Sequence, residues 1–209
     1  MLFAVSFFLL FFMPLSIHTV ANIISWVINP VFVAPAAYAA IVLLGYGNTA
    51  DAFPLFVVLF AASTLVPILL IVGLKRIGKI SDYNITFREQ RFLPLLVLVA
   101  VNLVGYEVLK QMHPPRLLTG ILLFNAVNTV FILLITLQWK ISIHLFSYAS
   151  AVGLLFVQFG NVALWLLLVV PLLMWSRIYL KAHTFMQTLA GTIAGFATIV
   201  IELKWWTAL

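Results

Sequence analysis

The segment SRIYLKAHTFMQ, residues 176–187, gathers Arg177, Lys181 and His183 in a chain where charged residues make up 8% and hydrophobic ones 65%. If a helix begins near His183, Gln187 lies on the same face one turn on. Its amide could then hold one imidazole nitrogen and leave the other aimed at a reactant. The planar fork of Arg177 suits two-point contact with a phosphate. A second segment, KISIH, sets Lys140 and Ser142 just ahead of His144. Two imidazoles, each beside a cation, can supply a nucleophile and a general acid, which is the equipment of phosphoryl transfer. His18 and His113 lack such surroundings. The plainer reading is a pair of loops whose Lys and Arg snorkel to lipid headgroups.

The elements that must position these residues are apolar. Mean hydropathy is +1.22 over 209 residues, beyond the range of soluble domains. Apolar runs recur at the length a bilayer core demands of a helix. The expected fold is all-α, a polytopic membrane helix bundle of six or seven spans with a phosphate site at one interface. Spans are read at about 31–46, 53–74, 93–110, 117–138, 141–158, 161–175 and 183–204. Residues 1–30 form an apolar N-terminal segment, interfacial or re-entrant, and residues 31–209 the bundle. Residues 2–13 carry no positive n-region and no small-residue cleavage site, so they do not read as a signal peptide.

Parity along the chain sorts the connections. The long loop 75–91, the turn 139–144 and the segment 176–183 fall on one face of the membrane. Lys75, Arg76, Lys79, Arg88, Arg91, Lys140, Arg177 and Lys181 collect there, while Lys110, Arg116 and Lys204 lie opposite. The positive-inside rule would make that face cytoplasmic, unless its cations are held in a binding site. Trp139 and Trp175 end their spans where interfacial aromatics belong. The formal charge of +6 points to anionic lipid. Nucleic acid is excluded as a partner, since no soluble basic surface exists. Cysteine is absent, which removes disulfides and thiolate ligands.

With these residues in place, the chain resembles the type 2 phosphatidic acid phosphatase superfamily over roughly residues 53–204. The family's third motif, SRxxxxxHxxxD, matches Ser176, Arg177 and His183, with Gln187 where the family has Asp. Its second, PSGH, matches Ser142 and His144, with Ile141 and Ile143 replacing Pro and Gly. Its first, KxxxxxxRP, is met loosely by Arg88 and Arg91, with Pro94 late and Asn84 where Lys would stand. The resemblance implies metal-independent and cofactor-free hydrolysis of a lipid phosphate or diphosphate. His183 would form a phosphohistidine and His144 would protonate the leaving oxygen, with Gln187 orienting His183. Arg177, Ser142, Ser176, Arg88, Arg91 and Lys140 would hold the phosphate. It implies a multi-pass protein of the bacterial cytoplasmic membrane whose partners are a lipid phosphate substrate and membrane lipids. A membrane protein partner or a second copy of the chain is left open. The alternative is a noncatalytic phosphatase-like subunit that binds anionic lipid and scaffolds partners; Gln187 and the altered motifs favour it. A small transporter using Glu107 and the histidines for protons is a third, weaker reading.

Other polar residues read as structural. Asn125 and Asn128 should bond neighbouring helices, Gly191 and Gly195 should allow close helix approach, and Lys110 should neutralise Glu107. Glu202, near Lys204 and the Trp205–Trp206 pair, is expected at the interface.

Overall fold

The computed structural model describes residues 16–47, 51–83, 85 and 87–209. The expectations for residues 2–13 and for Asn84 fall outside these. The described residues are helical, with no strand. Helix α1 is Ile17–Val27 and α2 is Pro30–Ala40, continued by a π-helical turn at Ile41–Gly45. Then come α3 (Ala52–Phe60), a second π turn (Ala61–Leu65) and α4 (Val66–Arg76). A 3-10 turn at Arg88–Arg91 leads into α5 (Phe92–Gln111), followed by α6 (Arg116–Gln138), α7 (Ile143–Phe159), α8 (Val170–Tyr179) and α9 (Phe185–Ala208).

Five helical stretches are long and apolar enough to cross a membrane, and the α1–α2 pair, bent by 44°, makes a sixth if taken as one span. This marks the chain as an integral membrane protein. Helix α1 has 11 residues, about 17 Å, too short to cross a ~30 Å core alone. The stretch Ile143–Tyr179 is contiguous in sequence but reverses in space. Gly160 adopts φ +74, a left-handed conformation that glycine takes without penalty. Beyond it, a 3-10 stretch (Gly160–Val169) runs back along α7. The Tyr148 hydroxyl donates to the Leu166 carbonyl at 2.8 Å, a contact that a continuous helix would hold about 27 Å apart.

The core lies between α2, α3, α6 and the far half of α9, around Ile41, Leu59, Leu118 and Leu203. Helix α7 packs along α9, α5 along α6, and α1 along α8. The α7–α9 contact is close because of the Gly191–Gly195 step. A Cβ at Gly195 would stand 2.2 Å from the Phe146 carbonyl, and one at Gly191 2.7 Å from that of Ser142. Asn125 donates to Tyr38 at 2.9 Å and Asn128 to Glu202 at 2.6 Å, so both asparagines join helices. Lys110 pairs with Glu107 at 3.1 Å on the outside of α5.

Loops expected on one face meet there. Arg88 Nη1 donates to the Gln138 carbonyl at 3.0 Å, and the Ser142 amide donates to the Gln187 carbonyl at 3.2 Å. At the opposite end, Trp206 Nε1 bonds the Arg116 carbonyl at 2.9 Å. These bonds tie the starts of α5, α7 and α9 to one end of the bundle.

Candidate anion site

The turn that delivers His183 follows from how α8 stops. The Lys181 amide bonds the Ile178 carbonyl at 2.9 Å and the Ala182 amide bonds that of Arg177 at 3.0 Å. This is a Schellman-type cap, with Lys181 in the left-handed position at φ 52; glycine usually takes that place. The cap folds the chain back so that the His183 amide also reaches the Arg177 carbonyl, at 3.3 Å. Helix α9 then begins at a capping box. Thr184 Oγ1 accepts from the Gln187 amide at 3.3 Å, and Gln187 Oε1 accepts from the Thr184 amide at 3.1 Å.

That box decides what Gln187 does for His183. The Thr184 N–H can only donate, so the amide atom facing it is the carbonyl oxygen. The same Oε1 lies 3.2 Å from His183 Nδ1. Nδ1 must therefore carry the proton, and Nε2 keeps its lone pair. Burial, then Arg177 and Lys140, push the His183 imidazole down to about 3, against the smaller raising effect of the Gln187 bond. His183 is neutral at physiological pH with an open nitrogen. Burial, then Arg91 and Arg177, also lower Lys140 from its ordinary value.

A cavity of about 270 Å³ has His144, Arg177, His183 and Arg91 among its lining residues, together with Asn29 and Tyr83. Among the described residues the lining includes no Asp or Glu. Arg177 is 7% and Arg91 3% exposed. Arg177 Nη1 donates to Ser25 Oγ at 2.5 Å, but its Nε is buried with no partner. Arg91 is fixed by the Ile85 carbonyl at 2.9 Å and that of Ile141 at 3.4 Å. Ser142 occupies the N-cap of α7, yet its hydroxyl makes no cap bond and is buried without a partner. A buried guanidinium N–H and a buried hydroxyl left unsatisfied are costly. Beside a helix N-terminus, they fit an anion better than they fit a packed core.

Among the residues singled out in the sequence, His144, His183, Arg177 and Arg91 line one cavity. Ser142 and Gln187 stand behind the lining, joined to each other through the Ser142 amide and the Gln187 carbonyl, with Gln187 on His183, and Lys140 contributes field. Two others are turned elsewhere. Ser176 has no exposed surface and donates to the Ala21 carbonyl at 2.7 Å, because α1 docks on α8 at that point. Arg88 is spent on Glu89, at 3.1 Å, and on Gln138. Two contributors lie in the N-terminal segment, outside the three sequence motifs. Ser25 holds Arg177, and Asn29 Nδ2 approaches His144 Nε2 at 3.3 Å. Asn29 also caps α2 through Oδ1 to the Val31 amide at 3.0 Å, which fixes Nδ2 as the atom facing His144. The Asn-Pro step at 29–30 is a legible cap, but nothing in the sequence says which imidazole its amide would face. Among the described residues no group of three or more His, Cys, Asp or Glu gathers to hold a metal.

Comparison with protein-family models, with curated proteins and with solved structures finds no match to this chain.

Proposed function

We propose that the protein is a membrane phosphatase that hydrolyses a lipid phosphate or diphosphate monoester through a phosphohistidine. The observation that carries the reading is the meeting of His144, His183 and Arg177 at one cavity, with Arg177 Nε unsatisfied. In this reading the bundle is seven helical passes, counting the bent α1–α2 pair as one and the two arms of the Gly160 hairpin separately. It sits in a bacterial cytoplasmic membrane. His183 Nε2 attacks the terminal phosphorus and forms an N–P bond as the P–O bond to the leaving group breaks, a lipid alcohol from a phosphate or a lipid monophosphate from a diphosphate. His144, protonated for this step, gives its proton to the departing oxygen and releases the Asn29 amide. Water then attacks phosphorus, His144 takes back a proton, and inorganic phosphate leaves with His183 restored. Arg177, Arg91 and Ser142 hold the equatorial oxygens, where positioning and charge stabilisation do most of the catalysis.

The test is phosphate release in detergent from phosphatidate, phosphatidylglycerophosphate and a polyprenyl diphosphate, with and without EDTA. Release that survives EDTA and is abolished in His183→Ala supports the enzyme. No release from any of the three by wild type contradicts it.

Gln187 favours a second reading, a noncatalytic subunit that binds anionic lipid. An uncharged orienting group fixes the tautomer of His183 but raises its basicity less than a carboxylate would. Binding of the same lipids without turnover is the outcome that reading expects.

A further inference from the structure

The cavity has a second polar end. Below the cationic end its wall is mostly apolar, with Ile71, Leu95 and Ile132 beside Ser147 and Ser150, and then turns more polar at Tyr38, Ser63, Thr64, Asn102, Asn125 and Asn128. Helix geometry gives the depth of this tier from three directions. Asn128 lies ten residues before Gln138, Asn102 eleven after Arg91, and Tyr38 nine after Asn29. At 1.5 Å per residue each is about 14 to 17 Å below the anion site, near mid-membrane.

Part of the tier satisfies itself. Asn125 Nδ2 donates to Tyr38 and to Ser63, at 2.9 and 3.3 Å, and Ser63 reaches Asn102 at 3.5 Å. Two atoms are left over. Thr64 Oγ1 and Asn128 Oδ1 are buried and without partners, on side chains 3% and 5% exposed. The Glu202 carboxylate accepts from Asn128 Nδ2 at 2.6 Å, so the unpaired atom of that amide is an acceptor, not a donor. Thr64 and Ser63 are carried by the π turn Ala61–Leu65, an irregularity that recurs at functional sites in helices. An unpaired acceptor and an unpaired hydroxyl on the wall of one cavity, with no charged residue in this tier's lining, call for an uncharged group that both donates and accepts. A hydroxyl does so.

We propose that this tier binds an uncharged hydroxyl carried on the hydrophobic chain of the ligand. The preferred substrate is then a single-chain amphiphile patterned polar, apolar, polar along its length. The inference rests on the anion-site reading for the distance between the two polar ends, while the tier stands on its own atoms. Water alone in the tier is the competing occupant; polar partners and room for several molecules at ~30 Å³ each permit it.

The chain has no cysteine, so Ile68→Cys places a unique thiol in the cavity wall, one turn beyond Thr64. Its alkylation by N-ethylmaleimide reports occupancy without requiring turnover. Two chain-length series are compared as protectants: alkyl phosphates with and without a terminal hydroxyl, and alkane diols against simple alcohols. At one narrow range of lengths, the hydroxylated phosphate should protect at three- to tenfold lower concentration, the size of one net hydrogen bond. Thr64→Val and Asn128→Leu should each remove that difference and leave the plain phosphate unchanged. Thr64→Val is close to isosteric and keeps the test alive should Asn128→Leu misfold. A hydroxyl preference confined to the diols upholds the tier and sinks the anion-site reading. No preference at any length in either series leaves only water in the tier and overturns the proposal. So does a preference that survives both variants, or a thiol that the reagent never reaches.

Discussion

Replacing Gln187 by Glu changes one atom type at a position whose geometry is already fixed. Both capping-box bonds survive, because a carboxylate oxygen accepts from the Thr184 amide as the carbonyl does, and the box takes Glu or Gln at that position. What changes is charge beside Nδ1 of His183, which now lies 3.2 Å from Oε1. With charge centres about 4 Å apart and an effective dielectric of about 20, the attraction is roughly 4 kcal/mol. That corresponds to about 3 pKa units, enough to carry His183 from about 3 to about 6. Imidazole ¹⁵N resonances of the detergent-solubilised protein read protonation and tautomer together, and there are four histidines to resolve. Wild type should show His183 protonated at Nδ1 only and unchanged down to about pH 4. Gln187→Glu should bring its titration into view near neutrality, while Gln187→Leu should mix the tautomers and cost about 1 kcal/mol of helix capping. The proton found on Nε2 in wild type, or a titration unmoved by Glu, would refute the reasoning from the capping box.

Three further outcomes follow from the same geometry. Arg177→Lys keeps the charge but loses the unpaired Nε and the planar fork, so affinity for an alkyl phosphate should fall tenfold or more, the worth of one charged hydrogen bond, in a direct titration. Lys181→Gly relieves a left-handed residue in the α8 cap and should raise the thermal midpoint, by a free energy of about 1 kcal/mol, without changing ligand affinity. The folded pKa of His183 lies below its unfolded value of 6.5, so between about pH 3 and 6.5 the unfolded chain binds the extra proton. The contribution of a neutral His183 to stability is therefore complete above 6.5 and is lost as pH falls toward 3. The ligand-free protein should lose up to about 1.4 kcal/mol per pH unit more than His183→Gln in that window, measured by parallel denaturation.

Much of the fold was legible because bilayer helices announce themselves by apolar length. The runs at 116–138 and 185–208 needed no tertiary information, and the QFGN step marked the hairpin that Gly160 makes. Parity then grouped the loops of the site correctly. What stayed hidden depends on tertiary contact. Whether Arg88 or Arg91 faces the cavity is set by bonds to the carbonyls of Gln138, Ile85 and Ile141, which no spacing encodes. A Schellman cap with lysine rather than glycine in the left-handed position gives no sequence signal. Glu202 reads as interfacial from Lys204 and the tryptophans beside it, yet its carboxylate turns inward to Asn128. Ser176 reads as a phosphate ligand by motif, yet α1 claims its hydroxyl.

The central claim is that His144, His183 and Arg177 share one anion. The most direct test titrates orthovanadate, a phosphate analogue, into ¹⁵N-histidine-labelled protein. Both imidazoles should shift along a single saturation curve at one vanadate per chain, and Arg177→Ala should abolish both responses together. Two independent curves, or a response from only one of the two histidines, would contradict the account.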